Sequence, residues 1–196
     1  MLGTRTLFLL LSLSAVALGA TIQPGDPAVE RYGELPIATD FGSPVGYPDG
    51  EGYYDAQDFG TNYHLGEDWN GVGGGATDRG DAVASMATGR VTWADDAGPG
   101  WGNVVRVVHH VRLRGESHFV ESVYAHLDRI DVVPGQSVTG GTLLGTIGDA
   151  DGRYSPHLHL EVRRQPDLPL GPGYSADQSM HLDPSQFIGE MRRGPR

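Results

Sequence analysis

Short runs of β-prone residues follow one another through the second half of the chain, and the segment 155–162 alternates strictly between polar and apolar residues. On a β-strand, successive side chains point to opposite faces of the sheet, so a period of two indicates a strand with at least one buried face. Glycines separate these runs at intervals of roughly ten residues, a spacing typical of an antiparallel β-sandwich or barrel. The predicted strands cover residues 83–86, 90–94, 103–111, 119–126, 143–147 and 158–162.

One short helix is predicted after the last of these strands. Asp183 can cap its first turn, and Pro184 suits its first position. Phe187 and Met191 would then bury one face, and Gly189 is expected to keep the helix short. The predicted fold class is therefore all-β, an antiparallel β-sheet that combines features of a sandwich and a barrel, with a short C-terminal helix.

The first twenty residues have the order of charged, apolar and small residues found in a secretory signal peptide. Arg5 precedes an apolar run at 7–11, and small residues follow up to Ala20. The apolar run is shorter than the roughly 20 residues that a membrane-spanning helix needs. We therefore expect residues 1–20 to be a cleaved signal peptide and the mature protein to be exported, periplasmic or extracellular, with no membrane anchor after processing.

The remaining chain divides into three parts by composition. Residues 21–58 are rich in Gly, Pro, Asp and Tyr without a helical period, which predicts a lead-in segment of extended chain and turns. The predicted strands and helix fall within a single domain at 59–188, in which residues 166–173 form a loop rich in glycine and proline. Residues 189–196 are expected to be a C-terminal tail.

Composition then narrows the chemistry that the chain can perform. Among its 196 residues all 14 basic ones are arginine, lysine and cysteine are absent, and the formal net charge is −11. The absence of lysine excludes a Schiff base and a phosphate-binding loop that ends in Gly-Lys. The absence of cysteine excludes disulfides, thiolate metal sites and a lipid-modified cysteine anchor. An acidic chain also argues against a nucleic-acid partner, because such binding needs clustered cations.

Histidines and carboxylates are the chemically useful residues that remain. The alternation over 155–162 predicts that His157, His159 and Glu161 share one face of a strand while the leucines between them face the core. Two imidazoles at this spacing lie roughly 7 Å apart, so one could bind a metal while the other contacts a water beside it. Glu161 could orient an imidazole from behind. A surface strand that happens to carry two histidines is the alternative.

His64 and Asp68 form a second candidate pair. They are four residues apart with Gly66 between them, so a tight turn could bring both side chains to one point. Both suit zinc, and with His159 they would make three protein ligands and leave a fourth position for water, as in a catalytic zinc site. Taken alone, this segment is more typical of a solvated loop.

His126 ends a predicted strand. A histidine beside an open site could donate a hydrogen bond to an oxyanion, although a buried histidine with satisfied partners fits the same pattern.

Three motifs follow one another in a specific order along the chain. They are His-x-Gly-x-Asp at 64–68, Tyr-x-His-Leu at 124–127 and His-Leu-His-Leu-Glu at 157–161. This constellation resembles the lysostaphin and LytM type of zinc metallopeptidase, enzymes with the duplicated hybrid motif that cut peptide cross-links in bacterial peptidoglycan. Intervening segments at 80–84, 100–105 and 133–145 fit the same pattern, so the resemblance covers roughly residues 59–188.

The resemblance implies a role for each of these residues. His64, Asp68 and His159 would bind Zn²⁺, and peptidoglycan peptides would bind in a groove across an antiparallel sheet. His157 would be the general base and His126 would stabilise the oxyanion, although the two roles could be exchanged. The implied function is that of an exported zinc endopeptidase.

Other functions remain open at this stage. Degenerate relatives of this family are non-catalytic peptidoglycan-binding modules or activators of other wall hydrolases, but they usually lack ligands that are all present here. Biotinyl and lipoyl carriers share part of the strand pattern but need a lysine. Phosphotransfer through histidine conflicts with the signal peptide.

Some features depart from the family pattern. The loops 71–80 and 111–119 are longer than usual and could reshape the groove. Four histidines have no place in the motifs and are expected on the surface or in strand packing: His109, His110, His118 and His181.

Overall fold

The computed structural model describes residues 21–23 and 25–194. The expected signal peptide, residues 1–20, lies outside the described residues and stays a prediction. Among the helices that the structure describes, none is long and apolar enough to cross a membrane.

The described chain forms ten strands, two α-helices and one short 3-10 turn. In chain order they are α1 (Pro27–Tyr32), β1 (Tyr53–Gln57), the 3-10 turn (Thr61–Tyr63), β2 (Glu67–Gly71), β3 (Ala82–Ala84), β4 (Gly89–Asp96), β5 (Asn103–Leu113), β6 (Glu116–Ile130), β7 (Ser137–Val138), β8 (Leu143–Ile147), β9 (Leu158–Arg163), β10 (His181–Leu182) and α2 (Pro184–Arg192).

The strands form one antiparallel sheet that does not close into a barrel. Its main path runs β1-β2-β9-β6-β5-β4-β7. β8 branches from this path by pairing with both β6 and β3, and β10 pairs with β9. This topology confirms the predicted all-β fold class, with antiparallel pairing and a short C-terminal helix.

All six predicted strands correspond to observed ones, namely β3, β4, β5, β6, β8 and β9. The predicted long loop at 111–119 is wrong, because β5 and β6 continue through it as a hairpin in which Leu113 pairs with Glu116. Arg114 and Gly115 make the turn, both with positive φ (52° and 85°). This backbone matches the twist of the strands that it joins.

The lead-in segment contains more regular structure than its composition suggests. α1 begins after Asp26, whose Oδ1 accepts a hydrogen bond from Ala28 N at 2.8 Å. At six residues, this helix is too short to show a period in the sequence. β1 is the edge strand of the sheet, and Phe41 and Val45 are buried in the main core. The segment is therefore not made only of extended chain and turns.

The C-terminal helix closes one end of the core. Phe187, Ile188 and Met191 are buried, and the Phe187 ring packs edge-on against Phe41 with 5.9 Å between the centroids. The helix is short, as expected, at nine residues, but Gly189 lies within it and the helix continues to Arg192. Burial of three large side chains outweighs the cost of about 1 kcal/mol for a glycine within a helix.

One of the four unassigned histidines lies fully buried in the sheet. His109 Nδ1 donates to the carbonyl of Thr88 at 2.9 Å, and His109 Nε2 lies 2.8 Å from Ser122 Oγ. Burial lowers the pKa of His109 to about 4. The folded protein therefore holds this imidazole neutral in strand packing.

The buried imidazole predicts a loss of stability in acid. Unfolding restores a pKa of about 6.5, so the stabilisation is complete above pH 6.5 and is lost as the pH falls towards 4. We expect His109 to account for about 3 kcal/mol of this loss, because folding lowers its pKa from 6.5 to about 4. Urea unfolding at pH 7 and pH 4 checks this by comparison with His109→Gln, whose free energy of unfolding should fall less. Equal falls in the two proteins would contradict it.

Candidate metal centre

The pairing of β2 with β9 brings two of the predicted ligands together. Asp68 and His159 are directly opposite in the register, and Asp68 Oδ1 lies 2.9 Å from His159 Nδ1. His64 follows the 3-10 turn, and its Nε2 lies 3.0 Å from His159 Nδ1 and 3.4 Å from Asp68 Oδ1. The structure thus places the ligand atoms of His64, Asp68 and His159 within 4.8 Å of one another.

The outer hydrogen bonds of the two imidazoles define which nitrogen faces the cluster. His64 Nδ1 donates to the carbonyl of Gln57 at 3.2 Å, and His159 Nε2 donates to Glu161 Oε1 at 3.3 Å. In the neutral tautomers, His64 Nε2 and His159 Nδ1 therefore present lone pairs to the carboxylate of Asp68. Three converging acceptors suit a cation, and their spacing is close to the roughly 3.4 Å expected between tetrahedral zinc ligands. The donor set therefore fits zinc.

The charges around this cluster are strongly coupled. Burial alone would raise the pKa of Asp68, but hydrogen bonds with His159 and His64 hold it well below its usual range. Burial alone would lower the pKa of His159, but hydrogen bonds with Asp68 and Glu161 raise it to about 9. The pKa of Glu161 is also lowered, because its hydrogen bonds to His159 and His181 outweigh its burial. Both carboxylates are thus ionised and favour positive charge between them.

Gly66 allows the close approach of β2 and β9 at this point. A Cβ atom at Gly66 would lie 2.3 Å from the Leu160 carbonyl oxygen and 3.0 Å from both Glu161 Cγ and His159 Cε1. A backbone carbonyl cannot move aside from such an overlap without disturbing the sheet. The glycine between His64 and Asp68 is therefore needed because only a residue without a side chain can pack this closely against the opposite strand.

Gly66→Ala is expected to destabilise the protein by about 1–3 kcal/mol, the usual cost of overpacking. Gly189→Ala is the matched control, because a Cβ atom there meets only Arg193 Nη1 at 3.6 Å and should stabilise α2 by up to about 1 kcal/mol. Urea unfolding of both variants measures the difference. A Gly66→Ala protein as stable as the wild type would show that β2 and β9 are not in tight contact.

The two predicted catalytic histidines lie next to the cluster. The ring centroids of His126 and His157 are 4.8 Å apart, and His126 lies 5.5 Å from the His159 ring. His126 Nδ1 donates to the Trp101 carbonyl at 3.1 Å, and His157 Nδ1 donates to the Ser155 carbonyl at 2.8 Å. The Nε2 atom of each neutral ring is therefore an acceptor, and that of His157 lies 3.6 Å from Asp68 Oδ1.

His126 has an unusual backbone position. It does not end its strand as predicted, because β6 continues to Ile130. It has a φ of 61° beside the register shift between Leu127 and Arg129. This irregularity turns the strand locally. Burial and, to a smaller extent, the neighbouring His159 and His157 together lower the pKa of His126 to about 3.

A cavity of about 520 Å³ opens over these side chains. Tyr154 and Tyr174 are both half-exposed on its walls, and Tyr174 stacks on His64 with 5.0 Å between the centroids. The lining residues are Gln57, Asp68, Pro99, Gly100, Trp101, His126, Tyr154, His157, His159, Gly171, Pro172, Gly173 and Tyr174. Neither of the loops expected to reshape the groove is among them. The loop rich in glycine and proline forms a wall instead.

Sequence reasoning missed several residues around the site. The Gln57 carbonyl holds His64, and Tyr174 covers it. His181 lies on β10 with its Nε2 3.6 Å from Glu161 Oε2. Arg163 is fully buried and bonds to the same carboxylate. Only Arg163 had a sequence signal, because it continues the alternation that groups His157, His159 and Glu161.

Known proteins resemble part of this chain. Cell division protein DipM of Caulobacter vibrioides is 32% identical over 110 residues, which cover 56% of this chain and 16% of that protein. Murein hydrolase activator NlpD of Escherichia coli is 34% identical over 88 residues, which cover 45% of this chain and 21% of that protein. The matched region is thus less than a quarter of the length of either relative.

Solved structures share the fold. A peptidase M23 structure from Pseudomonas aeruginosa aligns with 77% of this chain and 51% of its own, at 28% identity and a TM-score of 0.50. Lysostaphin from Staphylococcus simulans aligns with 74% of this chain and 52% of its own, at 20% identity and a TM-score of 0.52. The model of peptidase family M23 matches residues 63–172. On this match, which includes every residue of the cluster, the chain belongs to peptidase family M23.

Proposed function

We propose that this chain is an exported zinc endopeptidase that hydrolyses peptide bonds in the stems or cross-links of peptidoglycan. The observation that carries the proposal is the convergence of His64 Nε2, Asp68 Oδ1 and His159 Nδ1 at the floor of an open groove. Two further histidines with free acceptor nitrogens lie beside them. A structural zinc site would be closed, whereas this cluster has three protein ligands and faces a cavity.

The ligand roles follow from the donor geometry described above. His64, Asp68 and His159 would hold the metal, and Glu161 would keep His159 in the tautomer that binds it. When bound, zinc lowers the pKa of water and polarises the scissile carbonyl, so that attack proceeds near neutral pH.

The two remaining histidines would handle the proton and the developing charge. His157 Nε2 accepts the proton of the attacking water, since its Nδ1 is held by the Ser155 carbonyl and its Nε2 lies beside Asp68. His126 can donate to the substrate oxyanion only when its Nε2 is also protonated, because its Nδ1 already donates to Trp101. The negative charge that develops on the substrate would favour this protonated form. In the free protein burial lowers the pKa of His126 and makes it a weak base, which supports His157 as the base.

The substrate and location rest on the relatives and the N-terminal sequence. NlpD is named a murein hydrolase activator, and another relative, from Haemophilus influenzae, is named outer membrane antigenic lipoprotein B and is 35% identical over 85 residues. Both names fit a protein that works outside the cytoplasm, as does the signal-like order of residues 1–20. Peptidoglycan peptides are therefore the proposed partner.

A second function is favoured by one specific observation. A relative at 34% identity is named an activator of murein hydrolases, so this chain could activate another wall enzyme instead of cutting the wall. The complete ligand set and the two adjacent histidines favour hydrolysis.

Digestion of purified peptidoglycan by the purified chain separates the two functions. A peptidase releases soluble fragments by itself, and a chelator stops the release until zinc is restored. An activator alone releases nothing but increases the release by an added wall hydrolase. The second pattern would overturn the proposed function.

A further inference from the structure

Arg163 lies directly behind the candidate metal centre. It is fully buried at the end of β9, and its Nε and Nη2 atoms lie 2.8 and 2.6 Å from Glu161 Oε2. The other oxygen of Glu161 accepts from His159 Nε2 at 3.3 Å. One side of the guanidinium therefore fixes the carboxylate that orients a ligand imidazole.

The other side of Arg163 holds the loop that follows β9. Its Nη1 donates to the carbonyls of Leu168 and Pro169 at 3.2 and 3.3 Å, and its Nη2 donates to that of Leu170 at 3.1 Å. Lysine could not make these contacts together, because it has one nitrogen where arginine has a planar fork of five N–H donors.

The segment 168–174, here called the groove strap, leads from these carbonyls to the site. Gly171 accepts from Trp101 Nε1 at 3.1 Å, and the Gly173 carbonyl accepts from Leu65 N at 3.0 Å. Tyr174 then stacks on His64. The strap thus forms a wall of the groove. It contacts Trp101 through Gly171, and it contacts Leu65 and His64 through Gly173 and Tyr174.

A neighbouring arginine provides a comparison. Arg106 donates to Glu121 Oε2 at 2.6 Å and to the Leu168 carbonyl at 2.8 Å. Glu121 in turn lies 3.8 Å from Arg163 Nη1. Arg106 therefore holds the first residue of the strap, but it bonds to Glu121 and not to Glu161.

We infer that Arg163 is a positioning residue that links two parts of the site: it orients His159 through Glu161 and holds the groove strap in place. This inference rests on the proposed function in so far as His159 binds zinc. If the role of Arg163 were only structural, replacing it would change zinc affinity no more than replacing Arg106 does.

Three variants separate the two links. Arg163→Met should weaken zinc binding about 10- to 100-fold, the usual effect of losing a group that orients a ligand. Arg163→Lys keeps a positive charge beside Glu161 and should restore zinc affinity to within about 3-fold of wild type, by the same argument. In both variants the amides of Leu65 and Ser175, which bond to Gly173 and Tyr63, should exchange hydrogen at least about tenfold faster. Arg106→Lys, the matched control, should leave zinc affinity unchanged.

Zinc affinity is measured by competition with a chromophoric chelator, and amide exchange is measured on the zinc-free protein. The inference is overturned if Arg163→Met binds zinc as tightly as wild type, or if the amides of Leu65 and Ser175 keep their protection. If Arg163→Met does not fold, Glu161→Gln/Arg163→Met removes both buried charges and must show the same two losses. A wild-type protein that binds no zinc would instead overturn the proposed function, while amide exchange still tests the link from Arg163 to the strap.

Discussion

Replacing His159 with alanine is expected to abolish zinc binding and peptidoglycan hydrolysis together. His159 Nδ1 lies within 3.0 Å of both other ligand atoms, so its loss leaves only two protein ligands. Because the metal supplies several kcal/mol of transition-state stabilisation, kcat/KM should fall on the order of 10³-fold or more. Metal analysis of the dialysed protein and release of fragments from purified peptidoglycan measure the two effects.

A histidine outside the site is the control for this experiment. His110 lies on β5, where its Nδ1 lies 2.9 Å from the Leu35 carbonyl. His110→Ala should keep about one zinc per chain, the stoichiometry expected for a site with three protein ligands. A His159→Ala protein that retained both its zinc and its hydrolytic activity would exclude this cluster as the active site.

Replacing His157 with glutamine is expected to leave zinc bound but to lower kcat by about 10²- to 10⁴-fold, the usual contribution of a general base. Metal content and the rate of fragment release check both effects.

His126→Gln is the matched variant, since it removes the other imidazole beside the cluster. It should keep zinc bound and lower kcat by a smaller factor than His157→Gln does, since loss of one oxyanion donor costs about 10²- to 10³-fold. If His126→Gln lowers kcat more than His157→Gln does, the two roles are exchanged.

The strands with β-prone runs of their own were predictable from the sequence, and those that depend on a partner were not. β9 shows an alternation of leucine with polar residues, and both of its faces prove to be buried. β2 reads Glu-Asp-Trp-Asn-Gly, with little apolar character, and becomes a strand through pairing with β1 and β9. β7 and β10 are two residues long, too short for any period.

The candidate site was predictable as a set of residues, but not its geometry. Asp68 and His159 are 91 positions apart, so no local pattern shows that they are opposite in the sheet. Resemblance to a family supplied that grouping. The Gln57 carbonyl acts through the backbone, which leaves no trace in a side-chain pattern. Arg163 continues an alternation already visible in the sequence, but its hydrogen bonds to the groove strap depend on the fold of a loop.

Hydrolysis of peptidoglycan peptide bonds by this chain itself can be followed with isotopically labelled water. Purified peptidoglycan is digested in water enriched in ¹⁸O and the products are identified by mass spectrometry. Hydrolysis by a water activated at the cluster of His64, Asp68 and His159 predicts new peptide carboxyl termini that carry ¹⁸O, and none with the His159→Ala variant. Peptidoglycan that gains no labelled carboxyl termini from the zinc-loaded wild-type protein would contradict the proposed function.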